Sequence, residues 1–159
     1  MSRVIAIDPG YERCGVAILE KTNGNEVLVY SECLRSSTTL PFFERLHAIG
    51  NGIAEIIEKH EPEALAMETL FFSKNQKTAM MVAEARGMIT YVAASHDVPL
   101  VEYSPAAIKI AITGVGNADK KQIAAMVPHL IKLPQKKMLD DEIDAIAIGL
   151  THLAHSRHN

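Results

Sequence analysis

The stretch Arg3-Val4-Ile5-Ala6-Ile7-Asp8-Pro9-Gly10 sets the reading of the whole chain. Four apolar residues in unbroken succession mark a strand buried on both faces of a sheet. The run closes on one acid, and Pro9-Gly10 turns the chain directly after it. Cys14-Gly15-Val16-Ala17-Ile18-Leu19 is a second apolar strand. Asn23-Gly24-Asn25 is a strong hairpin signal, and Glu26–Ser31 alternates as a third strand.

Beyond these strands the spacing turns helical. From near Leu40 to Lys59, residues Phe42, Leu46, Ile49, Ile53, Ile56 and Ile57 recur at helical intervals, with Pro41 suited to the first turn. Gly50 and Gly52 weaken that helix without ending it. Ala64–Glu68 is a fourth strand, residues 76–95 a long helix rich in Ala and Met, and Pro99–Tyr103 a fifth strand. Ser104 caps and Pro105 opens a short helix to about Ile112. Gly114-Val115-Gly116 breaks the chain, Asn117 is placed to cap a helix to about Val127, and Pro128 ends or kinks that helix. A last helix spans about Leu139 to His155. The pattern predicts an α/β protein with a five-stranded mixed sheet flanked by helices. A single domain over 1–156 with a short tail, 157–159, suits the length of 159 residues.

Nearly half the chain is apolar, 48%, enough for a sizeable core. The two cysteines, Cys14 and Cys33, are too far apart in sequence to read as a metal-spaced pair. Met1-Ser2-Arg3 leads straight into a strand, and the longest apolar runs are too short to span a bilayer. The expectation is a soluble cytoplasmic protein with no membrane contact. The net charge of −3 does not announce a nucleic-acid binder, but its distribution is uneven. Lys109, Lys120, Lys121, Lys132, Lys136 and Lys137 lie in a stretch, 103–139, whose single acid is Asp119. Such a run is either a solvated face or a phosphate-facing surface, and the missing counter-charges favour the second.

Four acids stand out against this background. Asp8 and Glu68 each end an apolar strand, at the edge where open α/β sheets place their sites. Asp141 and Asp144 are three apart at the start of a helix that continues as Ala145-Ile146-Ala147-Ile148-Gly149-Leu150, so they share one face. Gathered carboxylates repel unless something pairs them, and hard divalent cations take oxygen ligands of this kind. Two such ions about 4 Å apart can clamp an in-line displacement at phosphorus. Asp140, Asp141 and Glu142 also suit the helix dipole as plain capping residues, and Asp8 could simply open a turn.

Taken together, Ile7-Asp8-Pro9-Gly10, Gly15, Met67-Glu68, Lys74-Asn75, Ala85-Arg86-Gly87 and Asp141-Glu142-Ile143-Asp144-Ala145-Ile146-Ala147-Ile148 resemble the RuvC family of Holliday-junction resolvases. The likeness runs over essentially the whole chain. It implies a ribonuclease H-like fold and a homodimer that cuts four-way DNA junctions symmetrically, leaving 5′-phosphate and 3′-hydroxyl ends. It also implies two Mg²⁺ per subunit, with Mn²⁺ able to substitute, and a RuvA-RuvB branch-migration complex as partner. On this resemblance the catalytic and metal-binding acids are Asp8, Glu68, Asp141 and Asp144. The DNA-binding candidates are Phe71, Phe72, Lys74, Asn75, Lys109, Lys120 and Lys121, with either Phe71 or Phe72 stacking on a base. Tyr11-Glu12-Arg13-Cys14 departs from the family's pattern after Asp-Pro-Gly. The alternatives are an RNA-processing nuclease of the same fold and a non-catalytic junction-binding module. A sugar-kinase or chaperone-type ATPase needs two lobes and a longer chain.

Overall fold

A computed structural model describes residues 2–69 and 75–156. Phe71, Phe72, Lys74 and the tail 157–159 lie outside the described residues. The strands are β1 (Ser2–Asp8), β2 (Arg13–Thr22), β3 (Asn25–Arg35), β4 (Ala64–Glu68) and β5 (Leu100–Tyr103). They form one sheet in the order β3-β2-β1-β4-β5. β1 and β3 run antiparallel to β2, while β4 runs parallel to β1 and β5 parallel to β4. The β2–β3 turn places Asn23 at φ 52° and Gly24 at φ 83°. Two successive positive φ values are what the twist of a two-residue hairpin requires.

The helices are α1 (Phe42–His60), α2 (Gln76–Ser95), α3 (Pro105–Thr113), α4 (Lys120–Leu130) and α5 (Asp140–His155). Strand alternation sorts the core into two layers. Ile5, Ile7, Val16, Ile18, Leu65 and Met67 pack against Ile49, Ile53 and Ile57 of α1 and Ile89 and Ala93 of α2. Val4, Ala6, Ala17, Leu19 and Ala66 face the opposite layer of α3, α4 and α5. By the same alternation Asp8 and Glu68 fall on the α5 side.

That side is lined by small residues, so α5 lies close to the sheet. A Cβ on Gly149 would stand 2.4 Å from Leu19 and 3.3 Å from the Ala6 Cβ. A Cβ on Gly15, which pairs with Asp8 across the ladder, would stand 1.8 Å from the Asp141 carbonyl oxygen. Glycine at position 15 lets the first turn of α5 reach the strand ends, and Gly149 lets the middle of the helix sit close against β1 and β2.

Three local expectations are corrected. The third strand does not stop at Ser31 but continues to Arg35, because β2 is long enough to pair it there. Asp119, not Asn117, caps α4: its carboxylate accepts the Gln122 N–H at 2.8 Å, and the Gln122 side chain accepts the Asp119 N–H at 2.8 Å. That reciprocal pair satisfies two otherwise orphan donors, which a lone Asn cap cannot do. Pro128 neither ends α4 nor stops its last turn; the Ile131 N–H still donates to Val127 O at 3.1 Å.

Candidate active site

Asp8 and Glu68 are the last residues of two neighbouring parallel strands whose ladder pairs Ile7 with Met67. α5 brings Asp144 over them. Asp8, Glu68 and Asp144 line one cleft of about 280 Å³ with Lys109 of α3, Lys120 of α4 and the Asp119 cap. Its apolar wall is Ile108, Ile123, Ala147 and Ile148.

The acids strain against one another. Burial, followed by the negative charges of Asp144 and Asp141, pushes the Asp8 carboxyl up to about 7. Burial and Asp144 also raise Glu68, while Lys109, Arg86 and Lys120 pull it back. Lys120 donates to Asp144 at 2.8 Å, and this contact raises the lysine in turn. Burial is the larger cause of the Asp8 shift, and a cation placed among these carboxylates relieves the part that comes from repulsion.

Asp141 stands at the margin, close enough to act on Asp8 but outside the cleft lining. Its carboxylate is ion-paired with Arg13 and accepts the Cys33 thiol at 3.9 Å. In oxygen chemistry the four acids fit a hard divalent cation. Among the described residues no three acid, histidine or cysteine groups are gathered as the ligands of one ion. Two of the acids are instead paired with the chain's own cations, Asp144 with Lys120 and Asp141 with Arg13.

The acidic start of α5 also contains a structural residue. Glu142 is buried and accepts from the Leu139 N–H at 3.1 Å, Ser31 Oγ at 3.0 Å and Lys136 Nζ at 2.8 Å. The Lys136 contact, with the Leu139 N–H and Ser31 Oγ, outweighs burial and lowers its carboxyl. Glu142 is therefore the capping acid, Asp140 is exposed, and Asp144 turns to the cleft.

The basic stretch divides. Lys109 and Lys120 enter the cleft, and Lys121 is exposed on α4 outside its lining. Lys132 and Lys136 line a separate cavity against Leu28–Ser31 of β3. Lys120 and Lys136 have acidic partners, Asp144 and Glu142, so the counter-charges missing in sequence are supplied from α5. The Asn75 side chain caps α2 by accepting the Thr78 N–H at 3.3 Å.

Two arginines emerge that sequence reasoning assigned no role. Arg86 reaches from α2 to donate to the Glu68 carbonyl and to the Glu102 carboxylate, fixing the end of β4. Its signal was a cation in the middle of a helix made largely of small and apolar residues. Arg13 lies in the segment that departs from the family's pattern, and its neighbours are firmly tied. Arg45 pairs with Glu12 at 3.2 Å and lies 5.2 Å from the Tyr11 ring centre, and the Ser36 N–H donates to Glu12 O at 3.1 Å.

The family model described as crossover junction endodeoxyribonuclease RuvC matches residues 4–152. The chain belongs to the RuvC family. The family's protein from Pelotomaculum thermopropionicum is 38% identical over 152 residues, covering 96% of this chain and 93% of that one. That of Roseiflexus sp. is 40% identical over 151 residues, covering 95% and 90%. The T. thermophilus RuvC solved in complex with a Holliday junction substrate is 31% identical, with a TM-score of 0.91 over 99% of this chain and 96% of that one. The yeast mitochondrial Holliday junction resolvase Ydc2 shares the fold at 15% identity, with a TM-score of 0.71 over 99% and 81%. The RuvC fold is thus the α/β, ribonuclease H-like architecture expected from the strand and helix order. Among the described residues no helix is long and apolar enough to cross a membrane.

Proposed function

We propose that this chain is a structure-selective endodeoxyribonuclease that resolves four-way DNA junctions by metal-dependent phosphodiester hydrolysis. The observation that carries the reading is the meeting of Asp8, Glu68 and Asp144 with Lys109 and Lys120 in one cleft of a RuvC-family chain. Asp8, Glu68, Asp141 and Asp144 are the acids that would hold two Mg²⁺ per subunit, with Mn²⁺ as a substitute. Bound there, divalent cations supply activation of the attacking water and stabilisation of the leaving 3′ oxygen. Asp8 and Glu68 fix the floor of the site because they end paired strands. Asp144 approaches from α5 and closes the set. Lys109 and Lys120 draw the scissile phosphate into the cleft and offset its charge. Phe71, Phe72, Lys74, Asn75 and Lys121 are the further candidates for contact with DNA.

Two strands of a junction must be cut in opposed positions, which a two-fold homodimer achieves. α2 supports that assembly: Met80, Ala83, Glu84, Gly87, Tyr91 and Ala94 form one exposed stripe at helical spacing. Met80 and Tyr91 are 64% and 74% exposed. A RuvA-RuvB branch-migration complex is the further partner, and the cytoplasm the expected compartment.

The deciding experiment is cleavage of a synthetic mobile four-way junction with Mg²⁺, comparing native protein with Asp144→Asn. Paired symmetric nicks in the native reaction, lost in the variant, are expected. Preferential cutting of structured RNA, or junction binding without any nick in Mg²⁺ or Mn²⁺, would overturn the reading.

A further inference from the structure

We propose that Arg13 is a positioning residue that holds the Asp141 carboxylate while the site is free of metal, yields it to a divalent cation, and then offers its guanidinium to a DNA phosphate. The inference rests on the reading of Asp141 as a metal ligand. Asp141 lies within charge reach of Asp8, yet Arg13 and the Cys33 thiol engage it outside the cleft. The segment that carries Arg13 is anchored on both sides, by Arg45 on Glu12 and by pairing of Arg13 itself with Arg35 across the β2–β3 ladder. The backbone is fixed, so the exchange is one of side-chain partners.

Arg35 gives the exchange its direction. Residues paired directly across an antiparallel ladder project to the same face, and like charges so placed repel. Arg13 and Arg35 are such a pair, and both are exposed. Asp141 compensates one of them. Once its carboxylate turns toward a cation in the cleft, two arginines are left facing each other beside the site where a phosphate chain would run. A phosphate restores the balance, and the planar guanidinium fork matches its oxygens. Metal and DNA therefore favour each other's binding through one residue, and the coupling is reciprocal. Lys120 could make a similar exchange at Asp144, but its role is already absorbed by the cleft; Arg13 has no other assignment.

The test is calorimetric titration of Mn²⁺ into the DNA-free protein, with junction affinity measured separately with and without Ca²⁺. Because exposed ion pairs are weak, Arg13→Ala is expected to bind Mn²⁺ about two- to fivefold more tightly. The benefit that Ca²⁺ gives to junction affinity is expected to shrink by a similar factor, and Arg13→Lys to stay close to native in both. Arg13→Gln replaces the alanine variant should that one fail to fold. Unchanged or weaker Mn²⁺ binding in Arg13→Ala, or an undiminished Ca²⁺ benefit, overturns the inference. Asp141→Asn separates the two readings. Loss of one Mn²⁺ in that variant beside native behaviour of Arg13→Ala refutes the role of Arg13 alone. Full Mn²⁺ stoichiometry in Asp141→Asn removes the ligand assignment beneath it.

Discussion

Among the acids that line the cleft, Asp8 is the one on which burial and charge act most strongly. Its carboxyl stands near 7 when folded and at 3.8 in its ordinary state. Folding therefore favours the protonated form. The stability this contributes is fully present below about pH 4, declines as pH rises, and is gone above about pH 7. The full difference corresponds to about 4 kcal/mol at most. In metal-free protein Asp8→Asn, which mimics the neutral acid, should match the native stability near pH 4 and exceed it by up to that amount at pH 8. Urea unfolding in chelator at the two pH values checks this. A gain that does not vary with pH would remove the electrostatic account. The residue that stores this cost is the one proposed to bind metal, the usual trade of stability for activity.

The element that matters most is α5, because it carries both Asp144 and the buried Glu142 into place. Its seat is made by absence of side chains at Gly15 and Gly149. In Gly15→Ala the new methyl group meets the Asp141 carbonyl, which is helix backbone and cannot rotate away. The first turn of α5 must then lift from the ends of β1 and β2. A loss of about 1–3 kcal/mol in thermal or urea unfolding is expected, together with loss of junction cleavage in the folded fraction. Retained cleavage would mean that the close approach is incidental. Gly149→Ala meets side-chain carbons of Leu19 rather than backbone, well away from the first turn of α5, so its stability cost should be smaller and its effect on cleavage slight.

At the scale of the whole molecule the two faces of the sheet divide the work. The α3–α4–α5 side builds the cleft, and the α1–α2 side presents exposed apolar groups, including Phe43 at 70% and Tyr91 at 74% exposure. A large aromatic left in water beside Gly87 and Ala94 suits a second copy packed against α2. Tyr91→Glu should shift the protein from dimer toward monomer in sedimentation equilibrium, with far-ultraviolet circular dichroism unchanged. On a four-way junction the same variant should convert paired nicks into single ones. An unchanged sedimentation profile would place the two-fold contact elsewhere.

Much of this was legible one residue at a time. Asp8 and Glu68 were visible because an acid ending a buried strand needs a reason; the ladder that pairs Ile7 with Met67 is what puts both on one side of the sheet. The five strands and their hairpin turn were written in apolar runs and in Asn23-Gly24. The helical acids were not separable by spacing. Only in the fold does Glu142 prove to be the cap, because it turns inward to Ser31 of β3 and to Lys136 of the loop that precedes α5. Likewise the lysine stretch looked uniform. Folding sent Lys109 and Lys120 into the cleft and Lys132 and Lys136 to another cavity. Local pattern determined the elements, the family and the acids at the strand ends, since these follow from chain geometry over a few residues. Tertiary structure decided which charge meets which. Arg13 on Asp141, Lys120 on Asp144 and Arg86 on the end of β4 join segments far apart in sequence, and such pairings exist only once ladder register and helix seating bring them together.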